Sequence, residues 1–181
     1  MPTRDRLRAE KLRGGIIIGR DVIVLEQTES TNDVITQMAA GDWPEGLCVF
    51  AEHQNAGRGQ RGNEWESARL TTWVAETIAK TLEDELGLSA AVKPPNDVYI
   101  GDRKIAGVLV EMRAQTGAPH VAVVGIGLNV NHAPSDFSEQ LRERATSVAI
   151  LRRRRLDRNI VAAALLRNLD RTYAELFHEN L

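Results

Sequence analysis

The apolar positions of this chain fall into short runs and longer stripes, separated by polar stretches rich in glycine. Ile16-Ile17-Ile18 and Val22-Ile23-Val24-Leu25 read as two short β segments around Gly19-Arg20-Asp21. Val34, Ile35, Met38 and Ala39 share one face of a helix, with Ser30 as its N-cap and Asp33 in the capping-box position. Leu47 to Ala51 reads as a buried strand. Leu70, Trp73, Val74, Thr77, Ile78, Leu82 and Leu86 keep helical spacing, and Gly87 supplies the stop. Ala90-Ala91-Val92 is a short strand, after which the prolines of Lys93-Pro94-Pro95-Asn96-Asp97 argue against regular structure. Val98-Tyr99-Ile100 and Lys104 to Met112 form a hairpin turned at Gly101-Asp102-Arg103. Gln115 to Pro119 is a turn, and His120 to Val130 is another strand. Gly125 and Gly127 within it predict close approach by a ligand or another backbone. Ile160, Val161, Ala164, Leu165, Leu169, Tyr173, Leu176 and Phe177 mark the apolar face of a last helix. Antiparallel hairpins with helices between them predict an α+β domain, a mixed and largely antiparallel sheet with flanking helices. The 181 residues suit a single domain, in which the charged segment before Gly14-Gly15 is a frayed helix and residues 1–20 are mobile.

Between these elements lie polar segments that carry the chemistry. Gln54-Asn55-Ala56-Gly57-Arg58-Gly59-Gln60-Arg61-Gly62 has no strongly apolar side chain. Its glycines let backbone approach a ligand, and its arginines offer forked donors for phosphate or carboxylate oxygens. It reads as an anion-clasping loop. Ser30-Thr31-Asn32, Lys93 to Asp97, Gly101 to Gly107 with Lys104, and Gly125-Ile126-Gly127-Leu128-Asn129-Val130-Asn131 complete the set. Cations, amides, glycines and one acid at the ends of strands and helices suit a nucleotide and its metal. The spacing Gly57-Arg58-Gly59-Gln60-Arg61-Gly62 matches G-x-G-x-x-G, but no helical pattern follows at once, so a Rossmann reading fails on context. No Walker A pattern is present.

Taken together and in order, these segments resemble the catalytic domain of biotin protein ligases (biotin–[acetyl-CoA-carboxylase] ligases). The resemblance rests on Ser30-Thr31-Asn32, Ala51 to Gly62, Pro95-Asn96-Asp97, Asp102 to Glu111, Gly125 to Asn131 and Ala145-Thr146-Ser147. It implies a fold like that of class II aminoacyl-tRNA synthetases and biotin synthetases. It also implies a two-step reaction. Biotin and Mg-ATP give biotinyl-5′-AMP and pyrophosphate, and a lysine of a biotin carboxyl carrier protein then attacks the mixed anhydride. On this resemblance Lys104 and Arg58 are catalytic. Ser30, Thr31, Asn32, Gln54, Gly57, Arg58, Gly59, Gln60, Lys104 and Gly107 bind biotin. Arg61, Trp65, Lys93, Asn96, Asp97 and Asn129 bind ATP, and Asp97 holds magnesium. The partners are biotin, ATP and the carrier domain, with homodimerisation left open.

Three departures from the family pattern carry expectations. Gln60 stands where the loop usually has an arginine, which removes one cation over the adenylate. Pro94 replaces a tryptophan. After Trp65-Glu66-Ser67 the family continues with a glycine-bearing turn and an apolar strand, whereas here Ala68-Arg69 leads straight into the next helix. A chain lacking that strand leaves two readings beside the ligase: an impaired biotin- or nucleotide-binding module, and a ligase for a related acyl group such as lipoate. Neither an N-terminal helix-turn-helix nor a C-terminal β-barrel domain is expected beside this domain. The formal net charge of −2 gives no bulk field favouring nucleic acid or a membrane surface. Cys48 is the one cysteine, so no disulfide framework is expected, and a cytoplasmic location follows as the default. The run Arg152 to Arg155 reads as a solvated basic patch.

Overall fold

A computed structural model describes residues 5–38, 44–56, 65–113 and 121–177, and at 65–67, 113 and 177 the backbone alone. In chain order the elements are α1 (Ala9–Leu12), β1 (Val22–Thr28), α2 (Thr31–Met38), β2 (Cys48–Gln54), α3 (Trp65–Leu86), β3 (Ala91–Lys93), β4 (Asp97–Ile100), β5 (Arg103–Arg113) and β6 (Val121–Leu128). A 3-10 turn (Pro134–Asp136), α4 (Glu139–Arg142), α5 (Val148–Arg152) and α6 (Arg158–Phe177) complete it. The result is α+β, with antiparallel pairing predominant and helices on its flanks, as the patterning predicts.

Among the described residues the strands form two sheets. β1 and β2 pair in parallel through the α2 crossover, and β3-β4-β5-β6 is wholly antiparallel. The helix α3 starts at Trp65, so no strand stands between Ser67 and Leu86. No strand joins β2 to the larger sheet among these residues. α2 spans that place, packing against both β2 and β6.

Strand alternation divides the larger sheet into two chemically different faces. Ala106, Val108 and Val110 of β5 are buried and point toward α3, joined by Val124, Ile126 and Leu128 of β6. Ile78, Leu82, Val98, Val148, Val161 and Leu165 extend this main core. The opposite face carries Gly107, Leu109 and Glu111 of β5, directly across from Gly127, Gly125 and Val123 of β6. A second, smaller core of Leu12, Val22 and Leu166 lies beneath β1, with α6 serving both.

Several expectations are corrected. Ile16-Ile17-Ile18 is not a strand. The N–H groups of all three donate to the Asp170 carboxylate at 2.8–2.9 Å, so none is left for a ladder. Pro94, Pro95 and Asn96 stay out of regular structure, as the prolines predict, but the residues either side do not: Lys93 pairs with Asp97 across a β3–β4 hairpin whose tip holds both prolines. Ile160 is 66% exposed and Leu176 51%, so neither belongs to the apolar face of α6, which is carried by Val161, Ala164, Leu165 and Leu169. The leading helix is confined to Ala9–Leu12. Residues from Asp5 onward are tied down: Asp5 pairs with Arg155 at 2.8 Å and with Arg158 at 3.0 Å, and Arg158 also reaches Glu52 at 2.6 Å. Arg152 to Arg155 are exposed, as a solvated patch would be, and Arg155 in addition reaches Asp5. The predicted turn at Gln115 to Pro119 lies outside the described residues.

Candidate active site

The site is built on the glycine face of the larger sheet. In a regular ladder Ile105 would fall opposite Tyr99 and Lys104 opposite Ile100, which would turn Lys104 toward α3. Instead the register shifts between Val98 and Tyr99, so that Val98 pairs with Ala106 and Tyr99 with Lys104. Ile105 is the extra residue of a β-bulge, and the bulge re-aims Lys104 onto the same face as Asp97 and Gly107. The backbone on either side of the bulge is held. Lys104 N–H donates to Arg144 O at 2.8 Å, Thr146 N–H to Lys104 O at 2.9 Å, and Asn129 N–H to Ile105 O at 2.9 Å.

There the Lys104 ammonium lies 2.6 Å from Asp97 Oδ1, as an ion pair without the alignment of a good hydrogen bond. Gly107 makes the room. A Cβ at that position would stand 3.1 Å from Lys104 Nζ and 3.4 Å from Asp97 Oδ1. Asp97 and Gly107 are themselves paired across β4 and β5. The result is a fixed cation, partly open to solvent, over a strip of backbone with no side chain in the way.

Two residues along the strip, a distance of about 7 Å, the start of α2 closes the other end. Ser30 and Asn32 are buried, at 4% and 7% exposure. Asn32 Nδ2 donates to Glu111 Oε2 at 2.8 Å, and its carboxamide lies flat on Gly125. The close approach predicted at Gly125 is therefore made by Asn32, while the nearest neighbour of a Cβ at Gly127 is Gly107 O at an ordinary 3.9 Å. The first turn of α2 is fastened to β2 by Gln54, whose Oε1 accepts from Thr31 N–H at 2.9 Å and Thr31 Oγ1 at 3.1 Å. Asn55 N–H and Ala56 N–H continue the join by donating to Thr28 O and Glu29 O.

The predicted residues separate accordingly. Asp97, Lys104 and Gly107 form one cluster, and Thr31, Asn32 and Gln54 with the adjacent Ser30 form a second over the same sheet face. Asn96 is occupied structurally: its Nδ2 donates to Val108 O at 3.0 Å. Asn129 contributes its backbone to the Ile105 and Val148 contacts. Lys93 Nζ lies 5.0 Å from the centre of the Tyr99 ring, a cation–π contact at the open edge. Gly57, Arg58, Gly59, Gln60 and Arg61, together with the Trp65 side chain, lie outside the described residues. Sequence reasoning did not assign a role to Glu111, although an acid within the apolar run Ile105 to Met112 was a visible signal. Among the described residues no three His, Cys, Asp or Glu side chains converge as a metal cluster.

The family model for the biotin/lipoate A/B protein ligases matches residues 24–83 and 70–129, which together include both clusters. This chain belongs to the biotin/lipoate A/B protein ligase family. The two matched pieces overlap within α3, the element that follows the point of the expected missing strand. Within the family, the chain is 32% identical over 204 residues to the biotin--[acetyl-CoA-carboxylase] ligase of Mycobacterium tuberculosis, covering 94% of this chain and 73% of that protein. It is 28% identical over 194 residues to the bifunctional ligase/repressor BirA of Bacillus subtilis, covering 94% of this chain but 60% of the relative. Both alignments are longer than the 181 residues of this chain, so within the aligned region each relative has residues without a counterpart in it. The ligase fold is shared with the biotin protein ligase of Aquifex aeolicus in complex with biotin and ATP, at a TM-score of 0.71, 23% identity, 87% of this chain and 73% of that one.

Proposed function

We propose that this chain is the catalytic domain of an ATP-dependent biotin protein ligase, forming biotinyl-5′-AMP and transferring biotin to a lysine of a biotin carboxyl carrier protein. The observation that carries this reading is the Lys104 ammonium held over Gly107, on the same glycine-floored face as Asn32. The first step joins two anions. A carboxylate oxygen attacks the α-phosphorus, and pyrophosphate leaves. Lys104 offsets the negative charge gathered where those groups meet, and a preset ammonium needs no reorganisation as that charge develops. Gly107 lets the reacting groups approach the backbone, and the α2 cluster grips the ring system at the far end of the strip. In the second step the amine of the acceptor lysine attacks the acyl carbon and AMP departs. Arg58 and its loop, by resemblance, cover the adenylate and keep water from hydrolysing it.

Magnesium would come with ATP, and phosphate oxygens and water would be most of its ligands. Asp97 is the carboxylate at this end of the strip, but its Oδ1 faces Lys104 at 2.6 Å. Its role on this geometry is to orient the ammonium, and a metal contact would come through its other oxygen. The reaction places the protein in the cytoplasm, where ATP and newly made carrier protein are found.

One observation favours a second reading. The absence of a strand between β2 and the larger sheet, among the described residues, leaves one wall of the ring-binding end to α2 alone. A module that binds biotin or nucleotide with impaired turnover would fit that geometry. Pyrophosphate release with biotin and Mg-ATP, with and without apo carrier domain, separates the two. The ligase reading expects biotin-dependent release that Lys104→Ala reduces by roughly a hundredfold or more while the melting temperature stays within a few degrees. No release from folded protein that still binds biotin would establish the binding module. Lipoate in place of biotin tests the related acyl group in the same assay.

A further inference from the structure

We propose that Glu111 is a positioning residue that fixes the Asn32 carboxamide with its oxygen toward the ligand, so that the site selects a ring bearing an N–H donor. The inference rests on the ligase reading and assigns substrate discrimination within the same site. An ionised carboxylate only accepts hydrogen bonds, so the Asn32 atom 2.8 Å from Glu111 Oε2 must be the amide nitrogen. The other end of the amide is then an oxygen by necessity, whatever the electron-rich atoms look like to a ligand. That oxygen lies over Gly125, where any Cβ would come within 2.7 Å of it. A glycine there allows the amide to lie flat on the strand, and Glu111, at the next position on the same face, sets which way round it lies. Asn32 is 7% exposed, so its oxygen is presented in a largely desolvated setting.

A buried acceptor without a donor is costly, and a site built around one rejects ligands that cannot supply the donor. A cyclic urea has ring N–H groups. A dithiolane ring has none. Glu111 therefore works through Asn32 to favour biotin over lipoate without itself touching either. Glu111→Gln can still accept from Asn32 through its amide oxygen, whereas Glu111→Met leaves the Asn32 amide free to turn over.

The test is titration calorimetry on the whole chain with biotin, with biotin methylated at either ring nitrogen, and with lipoate. Wild-type protein should bind biotin more tightly than at least one methylated form. Glu111→Met should weaken biotin by roughly three- to tenfold and close that gap, and Glu111→Gln should restore both. Asn32→Leu, which removes the acceptor and leaves Glu111 in place, should close the same gap. A gap that persists in Glu111→Met or in Asn32→Leu overturns the proposal, as does an equal weakening of biotin and its methylated forms. Wild-type protein that binds no biotin would overturn the ligase reading itself, an outcome distinct from a variant that binds as wild type does.

Discussion

Removing the Arg158 side-chain charge should strand a buried carboxylate. Arg158 sits at the start of α6, 24% exposed, between two carboxylates that are more buried still, Asp5 at 14% and Glu52 at 8%. Its Nε reaches Asp5 Oδ1 at 3.0 Å and its Nη2 reaches Glu52 Oε2 at 2.6 Å and Asp5 O at 2.6 Å. Arg158→Met keeps much of the aliphatic volume and deletes the charge. Asp5 would retain Arg155, but among the described residues Glu52 would keep only the Leu7 N–H. Breaking a buried pair by removing one partner costs about 3–5 kcal/mol, and partial exposure of Arg158 places this case at about 3. For a chain of this size that is a fall in melting temperature of about 6–12 °C, measured by thermal circular dichroism. In Arg158→Met/Glu52→Gln the stranded carboxylate is gone, so much of the loss should be recovered. Acid titration adds a second readout. Burial opposes the charge of Asp5, but hydrogen bonds from Arg155, Arg158 and Asn131 outweigh it and hold the carboxyl below its ordinary 3.8. Its stabilising effect is therefore complete above that value and is lost as pH falls through the lower folded value. The variant should lose less stability than wild type between about pH 4 and 2. A melting shift under about 2 °C, or no recovery in the double variant, would refute the reasoning.

Other outcomes follow from single positions. Gly46 has φ +82°, and a Cβ there would lie 2.2 Å from Ile17 O, whereas Gly101 has φ +57° with nothing within 4 Å. Gly46→Ala should thus unfold at markedly lower urea than Gly101→Ala, whose cost is only the left-handed backbone, about 1 kcal/mol; equal losses would be contrary. Burial, with a smaller push from Asp170, raises the Cys48 thiol from 9.0 to about 11 against a hydrogen bond from Gly19. Iodoacetamide at pH 8 should label it ~100-fold more slowly in folded than in denaturant-unfolded protein, and matching rates would show the thiol to be unperturbed.

What could be read from the chain and what could not have separate physical causes. The hairpin at Gly101-Asp102, the strand alternation of β5 and the helix stop at Gly87 are local patterns, and local patterns survive folding unchanged. Asp97 and Lys104 are close in sequence and on adjacent strands, so naming both as site residues needed no long-range information. Ile16-Ile17-Ile18 has a strand's composition, but its donors are taken by Asp170, which is remote in sequence. Ile160 fits a helical stripe as well as Val161 does, and only the placement of two cores decides which is covered. Asn96 carries the family motif, yet its carboxamide serves the β5 backbone. Glu111 acquires meaning from Asn32, which lies on a different element and is brought to it by the fold.

The two cores bear on how the molecule breathes. The α2 cluster is fastened to β2 through Gln54 and rests on the larger sheet through Asn32; the β1–β2 unit has a small buried set of its own, while Lys104 and Asp97 belong to the larger sheet. Opening of the smaller unit is the cheaper fluctuation, because less apolar surface is exposed, and it separates the two ends of the strip without dissolving the main core. A ligand long enough to touch both ends acts as a tie. It raises the free energy of that opening by RT ln(1 + [L]/Kd), so amide protons of β1 and α2 would slow in hydrogen exchange on ligand binding more than those of β5.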